Sequence, residues 1–190
     1  IFKFGGTSIK DAVSIKRVAK ILRIYSEDKL VIVFSAIGKV TNMLEEVTEA
    51  YVQKNEQAES KLQSVKDFHT HLLGELFEVN NSIYNEVNNL FVEIEWVLED
   101  EPNPDFAFNY DQIVSIGEML STKIMSAYLS EKGFENSWLD ARDIIRTDNK
   151  YRNAKIDWKQ TITFCKDKIT HFPIITQGFI GGTSENFTTT

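Results

Sequence analysis

Ile1-Phe2-Lys3-Phe4-Gly5-Gly6-Thr7-Ser8 opens the chain, and the rest of its organisation can be read outward from there. An apolar run carrying one lysine gives way to two glycines and then to two hydroxyl residues. That order spells a strand, a glycine turn and the start of a helix. Glycines let the backbone approach a ligand closely, and a helix N-terminus presents unpaired N–H donors and the positive end of its dipole. The stretch suits a phosphate, although Gly-Gly followed by Thr or Ser is also an ordinary turn with an N-cap. It is not one of the commoner phosphate loops. The only Gly-Lys pair, Gly38-Lys39, has Val33 where a Walker A motif needs its first glycine, and no G-x-G-x-x-G occurs. Here the lysine precedes the glycines and projects from the strand itself.

The segments that follow alternate in period. Val18, Ile21, Leu22 and Tyr25 keep helical spacing, which predicts a helix from about Asp11 to Glu27. Leu30 to Phe34 is continuously apolar and β-branched, the pattern of a parallel strand covered on both faces. Strand, helix and strand in this order predict a βαβ unit with a right-handed crossover. A long helical stretch comes next, with faces marked by Met43, Leu44 and Val47, by Leu62 to Leu76, and by Val87 to Val97. The acidic run from Glu93 to Glu101 reads as the solvated side of the last of these. Glu101-Pro102-Asn103-Pro104 is a turn, and one further helix is expected from about Asp111 to Lys132, stopped by Gly133. Ser137 to Asp140 and Pro173 to Gln177 read as strands, Asp157 to Lys168 as a helix, and Gly178 onward as a loop entering a hairpin. The chain falls in the α/β class with a helical insertion at about 43–104.

Bulk properties bound the partners. The chain has 190 residues, 42% hydrophobic and 26% charged, and a formal net charge of −7, which argues against general nucleic-acid or acidic-membrane binding. An anionic substrate must therefore be held by local features. One cysteine, Cys165, excludes an intrachain disulfide framework, fits a reducing cytoplasm, and reads as a small apolar filler. No apolar run approaches membrane-span length and no signal-peptide pattern occurs. His69 and His71 are two apart and cannot share a helix face, and no Cys/His cluster suggests zinc, so no metal ligand is assigned. The first residue lies inside an apparent strand and the last three are the β-prone Thr188-Thr189-Thr190, which reads as a piece of a longer domain.

Open α/β sheets gather ligands at the carboxyl ends of their strands. Four loops are expected there: Gly5 to Ser8, Ser35 to Asn42, Asp140 to Asp148, and Gly178 onward. Ser35 and Thr41 bring hydroxyls to the start of the helix that follows the second strand, and Thr41 is suited to cap that helix. Glu118 sits between Ile116 and Leu120 with Gly117 beside it, and a glutamate in an apolar helix face is costly unless paired. Asp140, Arg142 and Asp148 are weaker candidates, explained equally well by salt bridges within their loop.

The same blocks carry a family resemblance. Lys3-Phe4-Gly5-Gly6-Thr7-Ser8, Ser35 to Asn42, Ser115-Ile116-Gly117-Glu118-Met119-Leu120-Ser121, Trp138 to Asp143 with Arg146-Thr147-Asp148, and Thr176 to Gly181 with Thr188-Thr189-Thr190 resemble, in order, those of the aspartate kinases within the amino-acid kinase superfamily. The resemblance implies a three-layer αβα sandwich on a mainly parallel sheet. It implies transfer of the γ-phosphoryl of ATP, brought with Mg2+, to the side-chain carboxylate of L-aspartate, the step that begins lysine, threonine and methionine biosynthesis. Lys3 would be the catalytic cation, with Gly5, Gly6 and Ser8 also on the phosphates, and Ser35, Thr41 and Glu118 would hold aspartate. It further implies that residues 1–190 are the N-terminal part of a catalytic domain. The nucleotide-binding half and the ACT domains, through which a homo-oligomer forms, would lie elsewhere, and a homoserine dehydrogenase fusion stays open. The isolated stretch would be inactive. Lys39 stands where many relatives have a small residue. The alternatives are a kinase of glutamate or acetylglutamate type and a non-catalytic subunit of the same fold.

Overall fold

The structure, a computed structural model, describes residues 1–190. Its centre is a parallel four-stranded sheet of β1 (Phe2–Phe4), β2 (Val31–Phe34), β3 (Ser137–Trp138) and β4 (Ile174–Gln177), in the order β1-β2-β4-β3. The helices are α1 (Ala12–Leu22), α2 (Val40–Val52), α3 (Gln57–Leu76), α4 (Ile83–Glu99), α5 (Phe106–Val114), α6 (Ile116–Glu131) and α7 (Trp158–Lys168). A small antiparallel pair, β5 (Gly181–Gly182) and β6 (Thr188–Thr189), forms the expected hairpin.

Handedness assigns the layers. A right-handed crossover from β1 to β2 and another from β2 to β3 run the same way across the sheet, which puts α1 and α6 on one face. The return from β3 to β4 runs the opposite way and puts α7 on the other. Register agrees: Trp138, Ile175, Ile32 and Phe2 are aligned, as are Gln177, Phe34 and Phe4 two residues on. Trp138 and Gln177 both hydrogen-bond α6. Lys3, Val33 and Thr176 are aligned one residue out of phase and so face away from α6.

A single cluster of 41 buried apolar residues runs from Ile9 to Ile180 through helices α1 to α6, so the helical insertion shares the sheet's core and is not a separate domain. The acidic run lies on the outer side, where Glu95 pairs with Lys66 and Glu101 with Lys54.

Several boundaries differ from the sequence expectation. The first helix is shorter than Asp11–Glu27: Asp11 caps α1 by accepting from Ser14 N–H at 2.7 Å, and the chain tightens to a 3-10 turn at Arg23–Tyr25. The single helix expected over 111–132 is two, broken at Ser115. Asp105 starts the first of them, accepting from Ala107 N–H at 2.9 Å, while Gly133, with φ +78°, ends the second as expected. The strand expected over 137–140 keeps only two residues, because Asp140 instead starts a 3-10 turn, Ala141–Asp143.

Candidate functional site

The loops leaving β1, β2 and β4 are laced together by backbone bonds. Ser35 N–H donates to Phe4 O at 3.1 Å, Gly38 N–H to Gly6 O at 3.1 Å, and Gly178 N–H to Phe34 O at 3.1 Å. Two glycines make this approach possible. A Cβ on Gly6 would lie 2.6 Å from Ala36 O and 2.9 Å from Gly38 O, and Gly38 has φ +55°. Gly5 is different, with nothing within 4 Å of a Cβ built on it. The expectation that Gly5 to Ser8 opens the first helix is corrected here. Gly6–Ile9 is a 3-10 turn without a side-chain cap, and α1 starts separately at Ala12. The glycines serve a close contact between two loops before they serve any helix.

Glu118 is placed by packing. Gly117 lets the first turn of α6 settle on the β2–α2 loop, since a Cβ there would be 3.1 Å from Ala36 Cβ and 3.2 Å from Leu44 Cδ1. The Glu118 carboxylate then lies against that loop, only 7% exposed, with Oε1 accepting from Ala36 N–H at a long 3.4 Å. No cation of the chain pairs with it. Burial pushes its carboxyl from 4.5 up to about 7, with the Ala36 N–H pulling the other way.

One signal in the sequence bears on this and goes beyond the Gly-Glu block. Ser115-Ile116-Gly117-Glu118 has the S-x-x-E spacing of a capping box, in which Ser and Glu side chains satisfy each other's backbone N–H groups. The box does not form. Ser115 keeps helical angles, φ −59° and ψ −23°, and makes no side-chain cap, leaving its buried hydroxyl without a partner. Glu118 N–H instead bonds Ser115 O at 3.2 Å, and the carboxylate turns to Ala36.

The remaining candidates sit around this point without all meeting. Ser35, on the β2–α2 loop, and Thr41, in the first turn of α2, are half-buried. Thr41 is not the helix cap: Lys39 occupies that position, exposed and with no side-chain cap bond. Ser8 is exposed on the 3-10 turn. Lys3 is exposed, belongs to no ion pair, and leaves the sheet on the face away from α6. Its side chain therefore leaves the sheet on the face opposite the one that α6 and Glu118 cover. The weaker candidates are structural. Asp140 takes both Arg142 Nε (3.0 and 3.1 Å) and Nη2 (2.7 Å), and Asp148 gathers the N–H groups of Lys150 and Lys155. His69 is wholly buried with Nδ1 2.8 Å from Val65 O, whereas His71 is exposed. Cys165 is half-buried, and burial raises its thiol pKa.

Fold and site together define a parallel-sheet α/β protein whose ligand ground lies beyond the carboxyl ends of its strands. The chain belongs to the amino acid kinase family, whose model matches residues 1–189. Among curated relatives it is 28% identical to lysine-sensitive aspartokinase 3 of Escherichia coli (strain K12) and 30% identical to an aspartokinase of Chlamydia trachomatis. Each match covers 100% of this chain and 42% of the relative. The crystal structure of E. coli aspartokinase III in complex with aspartate and ADP superposes with a TM-score of 0.86 at 28% identity, covering 99% of this chain and 42% of that one. The chain thus spans less than half the length of these relatives.

Proposed function

We propose that the protein is an aspartate kinase, and that residues 1–190 form the aspartate- and phosphate-binding part of its catalytic domain. The observation that carries this reading is Glu118: a nearly buried carboxylate with one long hydrogen bond and no cation, beside the ends of the strands. A group so poorly compensated needs a partner, and the ammonium of an amino acid supplies the missing charge. The aspartate and ADP bound by the E. coli relative support the same assignment.

The chemistry follows from the groups present. The substrate's side-chain carboxylate is already ionised near neutral pH and needs no base. One of its oxygens forms a bond to the γ-phosphorus of ATP while the bond from that phosphorus to the β-phosphate oxygen breaks, giving β-aspartyl phosphate and ADP. The protein's task is to align two anions and to neutralise charge on the transferring group. Lys3, free of internal ion pairs, neutralises the phosphoryl oxygens from one side of the strand ends, while Gly5, Gly6 and Ser8 line the phosphates. Glu118 holds the α-ammonium from the other face, with Ser35 and Thr41 on the α-carboxylate, which leaves the side-chain carboxylate free to attack. Mg2+ arrives with ATP and is held largely by phosphate oxygens and water. The nucleotide base, the ACT domains and the oligomer contacts belong to other parts of the complete enzyme, which works in the cytoplasm.

Aspartate-dependent ATP turnover by the complete enzyme tests the reading, with glutamate and acetylglutamate as competing acceptors. Lys3→Ala is expected to lower kcat by about 10²–10³-fold, the usual loss on removing one preorganised charge-stabilising group. Unchanged turnover in that variant, or transfer to another acceptor in preference to aspartate, would overturn it.

A further inference from the structure

Behind Glu118, one turn further along α6, lies a hydroxyl whose hydrogen-bonding capacity is completely used. Thr122 is fully buried. Its Oγ1 accepts from Trp138 Nε1 at 3.0 Å and from Gln177 Nε2 at 2.7 Å, which occupies both lone pairs. Its single proton is left for the backbone of the turn that carries Glu118, where Glu118 O lies at 2.9 Å and Met119 O at 3.1 Å. Gln177, buried at the end of β4, uses its other end as well: Oε1 accepts from Ala141 N–H at 2.7 Å. One side chain of α6 and one of β4 therefore tie together α6, β3, β4 and the 3-10 turn at Ala141–Asp143.

The junction has consequences because of what it fixes. Glu118 reaches Ala36 N–H only at 3.4 Å, and the capping box that would otherwise anchor its turn is unformed. The side chain has little to hold it in place on its own. Position must come from the backbone beneath it, and the Glu118 carbonyl is held by two hydroxyls, Ser121 and Thr122, each at 2.9 Å. Of these only Thr122 is bonded to the sheet.

We propose that Thr122 and Gln177 are positioning residues, a buried relay that sets the height of Glu118 against the strand ends and so determines how well the site takes the ammonium of its amino-acid substrate. The inference rests on the assignment of Glu118 to that ammonium. Neither residue touches the substrate. Both act through the backbone of α6.

A matched pair of substitutions separates positioning from mere stability. Thr48 is also a fully buried threonine, and its hydroxyl donates to Leu44 O at 2.9 Å within α2, with no link to the sheet. In the complete enzyme, Thr122→Val is expected to raise KM for aspartate about tenfold, since small displacements at a binding group are costly, with kcat and KM for ATP held within about twofold. Thr122→Ser, which keeps the hydroxyl, restores most of the affinity. Gln177→Leu reproduces the rise in KM. Thr48→Val lowers the unfolding temperature without moving KM. Unchanged KM in Thr122→Val, or an equal rise in Thr48→Val, overturns the relay. Glu118→Gln, run alongside, distinguishes the two failures: if it leaves KM for aspartate unchanged, the assignment of Glu118 is wrong, whereas if it raises KM and Thr122→Val does not, only the relay is wrong.

Discussion

At the α5 end of the paired helices Asp111 is wholly buried, and its carboxylate accepts from Arg152 N–H at 2.9 Å, Thr190 N–H at 3.0 Å and the Thr190 hydroxyl. At the α6 end, seven residues on, Glu118 is almost as deeply buried and accepts from Ala36 N–H alone among its neighbours in space, at 3.4 Å. Burial raises the pKa of both carboxyls, opposed at Asp111 by the bonds from Thr190 and Arg152 and at Glu118 by backbone N–H groups, chiefly that of Ala36. The first acid is spent on the protein's own chain: Gln112 beside it also clasps Thr188, accepting from its N–H at 3.0 Å and donating to its carbonyl at 2.9 Å. The second is left over. A buried carboxylate with one long hydrogen bond and no cation is poorly compensated, which is what the proposed ammonium partner would supply.

Substitution at the two acids tests that contrast most severely. Glu118→Ala in the complete enzyme is expected to raise KM for aspartate by about 10²–10³-fold while leaving stability equal or higher, because an uncompensated buried charge has been removed. Asp111→Ala is expected to do the reverse, lowering the unfolding free energy by about 3 kcal/mol as several donors lose a shared acceptor. Urea unfolding of both variants beside aspartate saturation curves decides it. A stable Asp111→Ala protein, or a Glu118→Ala protein with normal KM, would break the distinction.

The pH dependence of stability sharpens it further. Glu118 has a folded pKa of about 7 against an ordinary 4.5, so the folded state retains a proton that the unfolded chain loses, and stability falls as pH rises through that window. His69 has the opposite sign. Buried between Phe68 and Phe91 with Nε2 unpartnered, it is lowered from 6.5 to about 4, so stability falls as pH drops from 6.5 toward 4. Each shift corresponds to about 3 kcal/mol. The two windows overlap and work against each other in the parent protein, so unfolding free energies measured between pH 4 and 8 should show stability falling toward acid more steeply in Glu118→Gln and stability falling as pH rises toward 7 more steeply in His69→Leu. Slopes unchanged by either substitution would remove the pH argument.

The smallest expected effects separate the two neighbouring glycines. Gly6→Ala puts a methyl group 2.6 Å from Ala36 O, a backbone atom, and should cost about 1–3 kcal/mol. Gly5→Ala meets nothing within 4 Å and, with φ −78° at that residue, should stay within about 0.5 kcal/mol. Its consequence, if Gly5 faces phosphate, is a higher KM for ATP at unchanged stability. Thermal unfolding of the pair reads the first effect and ATP saturation the second.

Much of this architecture is legible locally. Leu30 to Phe34 and Pro173 to Gln177 announce buried strands because a parallel sheet covered on both faces leaves no polar side to alternate with. Gly133 announces the end of α6 because its left-handed backbone suits a residue without a Cβ. The break at Ser115 is marked only by the S-x-x-E spacing of Ser115 to Glu118, a helix-start signature whose box does not form, while the apolar pattern over 111–132 runs on without interruption. The 3-10 turn at Gly6–Ile9 was hidden because the glycines answer to Ala36 and Gly38, residues about 30 positions away.

The sequence by itself determined the α/β class, the order of the strands and helices along the chain, and the residues worth suspecting. Those depend on periodicity and turn chemistry, which are properties of neighbours. The tertiary structure alone decided that Lys3 and Glu118 lie on opposite faces of the sheet, and that Asp111 gathers three hydrogen bonds while Glu118 has one long one from its neighbours in space. It alone decided that a threonine and a glutamine hold Glu118 in place from behind. Those facts depend on which distant donors and acceptors meet once the core has closed, and no local pattern encodes a hydrogen bond between residues 55 apart.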